Sequence, residues 1–139
     1  ASVEIYVDSA AGLSGDLINI STRGHVSTGD QILIGGLIIG GNATKRLLLR
    51  GMGPSLIIPG SPSLSNPELL VFNSSGQMID SNDDWLNAPN WDEIEATQLI
   101  PMDEEAAMLL DLDPGSYTIH LRSEQGDTGI GLVEIYSLN

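Results

Sequence analysis

Short apolar runs alternate with turn-forming residues along the chain, and almost no segment has helical periodicity. Branched aliphatic residues dominate these runs, and clusters of Gly, Pro, Asn and Asp interrupt them at short intervals. Such a pattern is typical of β-strands joined by tight turns. About nine strands are expected, which predicts an all-β fold: an antiparallel β-sandwich of the jelly-roll or immunoglobulin-like kind with an N-terminal extension strand. The expected strands cover residues 1–8, 17–22, 31–39, 45–50, 69–72, 77–80, 105–112, 116–123 and 129–138.

Turn residues predict how some of these strands connect. Asn73-Ser-Ser-Gly76 predicts a hairpin between the strands on either side of it. Gly40-Gly41-Asn42 predicts a second hairpin, with residues 45–50 returning beside the run before the turn. The glycine pair 35–36 inside that run predicts a bulge or a close backbone approach. The polar stretch 85–102 has room for one short helical turn.

Four residues occur twice, once near each end of the chain. Val3-Glu4-Ile5-Tyr6 is repeated as residues 133–136, and both copies suit a pleated strand. A folded sheet needs one copy of a given strand, so the other copy is available to a neighbouring molecule. Coincidence is the alternative, because these residue types are common in strands. Residues 9–15 have the composition of a flexible linker, which predicts a donor strand and linker over 1–15 and a sandwich domain over 16–139.

The charge balance excludes some classes of partner. The chain has 19 acidic and 5 basic residues, a net charge of −14, and no Lys or Arg between Arg50 and Arg122. Such a surface repels phosphate backbones and anionic membranes, so we expect no nucleic-acid partner. No apolar run reaches the length of a membrane span, so membrane insertion is not expected. The first residue is Ala rather than Met, which predicts that a leader was removed or the chain trimmed.

One acidic segment is a candidate calcium site. Asp80, Asn82, Asp83 and Asp84 put four oxygen-bearing side chains within five residues. Hard divalent cations bind several such oxygens, although the spacing is not that of an EF-hand. The alternative is a hydrophilic turn stabilised by hydrogen bonds from Asx side chains. No cofactor other than calcium is expected.

Aromatic and histidine residues give little indication of catalysis. Trp85 and Trp91 are expected in the core, and a sugar-stacking surface is the alternative. His25 and His120 are the only histidines, and with no cysteine the spacing predicts no transition-metal site. No nucleophile elbow and no distinct acid–base pair occurs, so the chain is not expected to be an enzyme.

Two predicted turns carry acceptor sequences for N-glycosylation. Asn42-Ala-Thr44 and Asn73-Ser-Ser75 match the Asn-x-Ser/Thr pattern. A glycan at a turn tip would extend into water, so Asn42 and Asn73 are predicted glycosylation sites.

A series of short motifs follows one order along the chain. The motifs are Ile20-Ser-Thr-Arg-Gly24, Thr28-Gly-Asp30, Leu33-Ile-Gly-Gly36, Gly53-Pro-Ser-Leu56, Asn82-Asp-Asp-Trp85, Pro114-Gly-Ser-Tyr-Thr118 and Val133-Glu-Ile-Tyr136. The series resembles a recurring β-rich module of secreted bacterial surface proteins. The resemblance spans about Leu17 to Leu138, and the second half is also similar to pre-peptidase C-terminal domains. It implies an extracellular or cell-surface, non-catalytic module that often occurs in tandem.

In tandem arrays of this kind, the repeated strand would end one module and the next module would begin after a linker. Residues 3–22 match such a junction, so the first strand lacks the module that it would complete. We therefore expect a structural subunit of an extracellular, pilus-like filament, a head-to-tail homopolymer formed by donor-strand complementation. The donor strand would be Val3, Glu4, Ile5, Tyr6 and Val7, and an acceptor position beside residues 129–138 is one candidate. Two alternatives remain: the strand returns to its own domain, or the protein is a monomeric carbohydrate- or calcium-binding module.

Overall fold

Nine strands and two short helical segments make up the described part of the chain. The computed structural model describes residues 2–8, 18–27, 31–102, 105–123 and 126–138. A 3₁₀ turn spans Trp85–Asn87 and the helix α1 spans Trp91–Ala96. The strands are β1 (Ser2–Asp8), β2 (Ile18–Val26), β3 (Leu33–Gly40), β4 (Lys45–Met52), β5 (Pro67–Phe72), β6 (Met78–Asn82), β7 (Ala106–Leu112), β8 (Gly115–Ser123) and β9 (Gly129–Leu138).

The strands form two layers, which confirms the predicted β-sandwich. Sheet A has the strand order β1-β3-β8-β5-β6, and sheet B has the order β2-β9-β4-β7. Every pairing is antiparallel except the one between β1 and β3, which is parallel. The hairpin at residues 73–76 is confirmed, because β5 and β6 pair on either side of it.

The predicted hairpin after β3 and the bulge predicted at the glycine pair 35–36 are both wrong. The alternative for that pair, a close backbone approach, stays a prediction. The turn after β3 does not close a hairpin, because β3 belongs to sheet A and β4 to sheet B. Residues 41–44 instead cross between the layers, which lets both strands bury apolar side chains in the same core. The pairing of β3 with β8 runs through Gly35 and Gly36 without a shift, so the glycine pair forms no bulge. The irregularity in sheet A lies between Val71 and Phe72, where β5 meets β6.

The main core lies between the two sheets. Strand β3 alternates buried and half-buried positions along its length, the expected pattern when one face of a sheet is covered. Aliphatic side chains fill this space, which agrees with the low aromatic content of 4%. Its largest fully buried members are Leu33, Leu37, Ile39, Leu47, Leu49, Leu64, Leu69, Ile119 and Leu121.

A smaller apolar cluster covers the outer face of sheet B. Trp85 and Ile94, from the segment 85–102, pack there against Leu48, Leu109 and Tyr136. Trp85 is 3% exposed, which confirms its predicted core position. Trp91 is 45% exposed, so the same prediction is wrong for it. The reason is that the fully buried Ile94 makes the apolar contact of α1 with the sheet.

No helix in the described part of the chain is long and apolar enough to cross a membrane.

Candidate assembly interface

Strand β1 pairs with the edge of its own sheet A in the single chain. Its ladder with β3 is parallel and runs without interruption from Ser2 opposite Ile34 to Asp8 opposite Gly40. In the single chain the N-terminal strand therefore returns to its own domain, which was one of the alternatives to strand donation. The predicted linker 9–15 and the domain boundary after it lie outside the described residues, as does the motif at residues 28–30.

Without β1, the two sheets of the sandwich have the same number of strands. Each of β2 to β9 contacts a strand of the opposite sheet, and β2 to β9 provide four strands per layer. The extensive contact of β1, among the described elements, is with β3 alone. The N-terminal strand is therefore a fifth strand appended to a layer that has four opposite it.

The second copy of the repeat has a different environment. In β9, Val133 and Ile135 belong to the main core, while Glu134 and Tyr136 lie on the outer face of sheet B. Strand β9 has β2 on one side and β4 on the other. The predicted acceptor position beside residues 129–138 is therefore wrong, because both edges of that strand are already paired.

Glu134 and Tyr136 hold one arginine between them. The guanidinium of Arg50 donates to the carboxylate of Glu134 and, over 2.8 Å, to the hydroxyl of Tyr136, and its carbon lies 4.9 Å from the centre of the tyrosine ring. A second guanidinium nitrogen donates over 3.0 Å to the carbonyl of Leu99, which ties the segment 85–102 to the sheet. Burial raises the pKa of the Tyr136 hydroxyl, and Arg50 opposes that rise.

The open edge of β7 is covered by side chains and one amide from the acidic segment and the residues after it. The amide of Trp85 donates to the carbonyl of Glu105 over 3.0 Å. The side-chain oxygen of Asn82 accepts from the amide of Ala107 over 3.1 Å, and Asn90 donates to the carbonyl of Leu109 over 3.2 Å. These contacts satisfy successive backbone groups that would otherwise be open to another strand.

The other two outer strands are protected in different ways. Strand β6 is five residues long, is mostly exposed, carries Asp80, and pairs with β5 through the register shift. Strand β2 exposes Arg23 and His25. Arg23 forms no ion pair with any described residue. Short strands, irregular pairing and edge charges all discourage edge-to-edge association.

Strand β3 has none of these protections. Its eight residues, Leu-Ile-Gly-Gly-Leu-Ile-Ile-Gly, include no charge and no proline. One backbone edge of β3 pairs with β8, and the other is the edge that β1 covers. Without β1, an apolar strand of this length would present unpaired N–H and C=O groups to solvent.

The predicted calcium ligands do not form one cluster. Asn82 uses its amide group to donate to the carbonyl of Asp84 and its oxygen to cover β7. Asp84 accepts from the amide of Leu86 over 3.0 Å and caps the 3₁₀ turn, while Asp80 accepts from the next backbone amide. Among the residues described, no group of three or more Asp, Glu, His or Cys side chains is arranged to hold a metal ion. Calcium binding at these residues, including Asp83, stays a prediction.

The two predicted glycosylation sites do lie at turns. Asn42 is exposed in the connection after β3. Asn73 opens the β5–β6 hairpin, where its oxygen accepts from the amides of Ser75 and Gln77 and its nitrogen donates to the Gln77 side chain over 3.2 Å. Glycosylation of either residue stays a prediction.

A buried carboxylate that the sequence did not single out fixes the loop after β4. Glu105 is fully buried and accepts four hydrogen bonds, from the amides of Gly53, Ser55 and Met102 and from the Ser55 hydroxyl. Its donors lie up to 52 positions away in the sequence, so no local pattern could have indicated this role. The four hydrogen bonds join the loop after β4 and Met102 to the start of β7.

Comparison with known proteins supports the fold and nothing finer. No protein-family model matches the sequence, and no curated protein matches it significantly. The pre-peptidase C-terminal domain of a collagenase from Bacillus anthracis is similar in structure, with a TM-score of 0.57 and 9% identity over 97% of this chain and 94% of that chain. PliG of Aeromonas hydrophila, a periplasmic inhibitor of g-type lysozyme, aligns over 99% of both chains with 12% identity and a TM-score of 0.46.

The collagenase-domain match confirms the predicted likeness to pre-peptidase C-terminal domains at the level of fold. The likeness extends over nearly the whole chain rather than the second half alone. At 9% identity it shows a shared β-sandwich and no shared activity, and a TM-score of 0.46 is too low to establish a common fold with PliG.

Proposed function

We propose that the chain is a structural subunit of an extracellular, pilus-like fibre in which the N-terminal strand of one copy pairs with the sandwich of the next. The observation that carries this proposal is the position of β1, a fifth strand added to a sandwich that has four strands per layer without it. Its ladder involves a single neighbouring strand, so another copy can offer the same partner.

The repeated tetrapeptide supports a separate role for the N-terminal strand. In β9, two residues of the tetrapeptide lie in the core and the other two contact Arg50. All four residues of this copy therefore already contribute to the fold. A second copy at an edge is therefore available for association. Because donor strand and acceptor edge are different surfaces, the contact is heterologous and builds an open chain of subunits.

Composition is consistent with an extracellular, non-catalytic role. The net charge of −14 keeps separate molecules apart in solution, so a specific strand pairing rather than general adhesion would join them. The two most prominent ion-pair and carboxylate clusters, around Arg50 and Glu105, are occupied by contacts within the chain. We propose no catalytic site.

The test is a deletion of residues 1–8, with negative-stain electron microscopy and size-exclusion chromatography on the same samples. We expect fibres from the full chain and a folded monomer from the deletion variant. A chain in which residues 2–8 are replaced by Gly and Ser is the matched control, because it keeps the length. Circular dichroism establishes whether each variant is folded, and fibres from either variant would refute the proposal.

A second candidate function is a monomeric carbohydrate- or calcium-binding module at residues 80–91. The observation in its favour is that Trp91 is 45% exposed beside a segment rich in Asn and Asp. Loss of a measurable ligand on Asp83→Ala and Trp91→Ala would favour it. A calcium titration without heat or spectral change would count against the calcium version.

A further inference from the structure

We infer that the acceptor of the donated strand is the β3 edge of a second copy, in the parallel register that β1 adopts in its own chain. This inference rests on the proposed function and names the partner surface for it. Its occupant is β1 of another copy, and the single-chain arrangement is the resting state that assembly must open. Assembly is then an exchange of strands between equivalent positions.

The other sheet edges are less suitable acceptors. The β7 edge is covered by Trp85, Asn82 and Asn90, and β9 has strands on both sides. The β6 edge is short, exposed and irregular, and the β2 edge exposes Arg23. Only β3, in the described part of the chain, combines a long, uncharged strand with no protection other than β1.

The parallel register places apolar residues of β1 opposite the buried positions of β3. The buried positions of β3 are Leu33, Gly35, Leu37 and Ile39. Val3, Ile5 and Val7 hold the register positions opposite the last three of these. A shift of the register by one residue would place Glu4 and Tyr6 opposite these buried positions instead.

Exchange of β1 between copies conserves every backbone hydrogen bond of the β1–β3 ladder. The equilibrium between closed monomers and fibres therefore depends on the protein concentration. A strand tethered to its own acceptor acts at an effective concentration on the order of millimolar, which favours the closed monomer in dilute solution. Exchange also requires the existing ladder to open first, so fibres should form after a lag and resist dilution once formed.

The experiment uses full-length chains, which contain no native cysteine. Tyr6→Cys in one chain is mixed with Ile38→Cys in another, because these residues are register partners. Neighbouring strands lie about 4.8 Å apart, a spacing that a disulfide can bridge. After assembly and mild oxidation, we expect disulfide-linked dimers on a non-reducing gel. Ser2→Cys mixed with Ile38→Cys is the register control, since four residues separate the two positions by about 13 Å.

Two further chains make the outcomes distinct. Ile38→Cys with Ser116→Cys in the same chain joins β3 to β8 and should give only monomers, because that pairing stays within one chain. Tyr6→Cys mixed with Ser21→Cys probes the β2 edge. Dimers through Ser21→Cys but not through Ile38→Cys would overturn the β3 inference while the fibre proposal stands. The absence of both fibres and disulfide-linked dimers from every mixed pair would overturn both.

Discussion

The same tetrapeptide occupies the edge of one sheet and the centre of the other. In β9 it has a strand on each side, two side chains in the core and two around Arg50. In β1 it has one neighbouring strand, and the register partners of Glu4 and Tyr6 are Gly36 and Ile38. Identical strand chemistry can therefore serve folding in one place and remain available for association in another.

Context decides what each copy contributes. Removing a strand from the centre of a sheet exposes two ladders and part of the core, whereas removing an edge strand exposes one ladder. We therefore expect matched substitutions in the two copies to separate stability from assembly.

The largest difference is expected for the isoleucines. Ile135 is 2% exposed, so Ile135→Ala should lower the free energy of unfolding by about 2–5 kcal/mol. Ile5→Ala should change stability much less. Because its β1–β3 ladder opens more easily, it should shorten the lag before fibres form by roughly tenfold. Urea denaturation and sedimentation of assembled material measure the two effects. An equal loss of stability in both variants would contradict the comparison.

A smaller difference is expected for the glutamates. Glu134 is the register partner of Arg50 and accepts from its guanidinium, and both side chains are largely buried. Glu134→Gln removes the charge that pairs with Arg50 and should cost about 1–3 kcal/mol. Glu4→Gln is the matched control, and its register partner is a glycine. Thermal unfolding of both variants tests this, and a loss in Glu4→Gln as large as in Glu134→Gln would indicate a cation at the N-terminal strand.

The smallest effect is expected for the tyrosines and depends on pH. Burial raises the pKa of Tyr136 above its unfolded value of 10.0, so the folded state holds the proton more tightly than the unfolded state. This contribution to stability is complete below pH 10 and is lost as the pH rises through the higher folded pKa. Tyr136→Phe should therefore flatten the alkaline decline in stability, and Tyr6→Phe should not. Melting temperatures from pH 8 to 11 measure the slopes, and parallel slopes in wild type and Tyr136→Phe would contradict this assignment.

Local pattern was sufficient for most of the fold. The strand β3 and the Asn73–Gly76 turn each depend on a few neighbouring residues, and both were predicted. The assignment of β3 and β4 to different sheets was not predictable, because a turn sequence does not encode which layer the next strand joins.

The candidate interface was predictable only in part. The repeat indicated that one strand was surplus, but the acceptor depends on which edges are covered. The side chains of Asn82 and Asn90 reach β7 from 25 and 19 positions away, and their role follows from tertiary contacts alone. A segment that the sequence suggested as a calcium site thus contributes a residue that protects a sheet edge.

The most direct test of the different roles of the two strands is electron cryo-microscopy of assembled full-length protein. We expect fibres in which each sandwich has four strands per layer of its own and a fifth beside β3 that traces through residues 9–17 to the neighbouring copy. Particles that stay at 14.7 kDa when the protein is concentrated to the order of millimolar, or fibres in which that fifth strand traces back to its own chain, would contradict this.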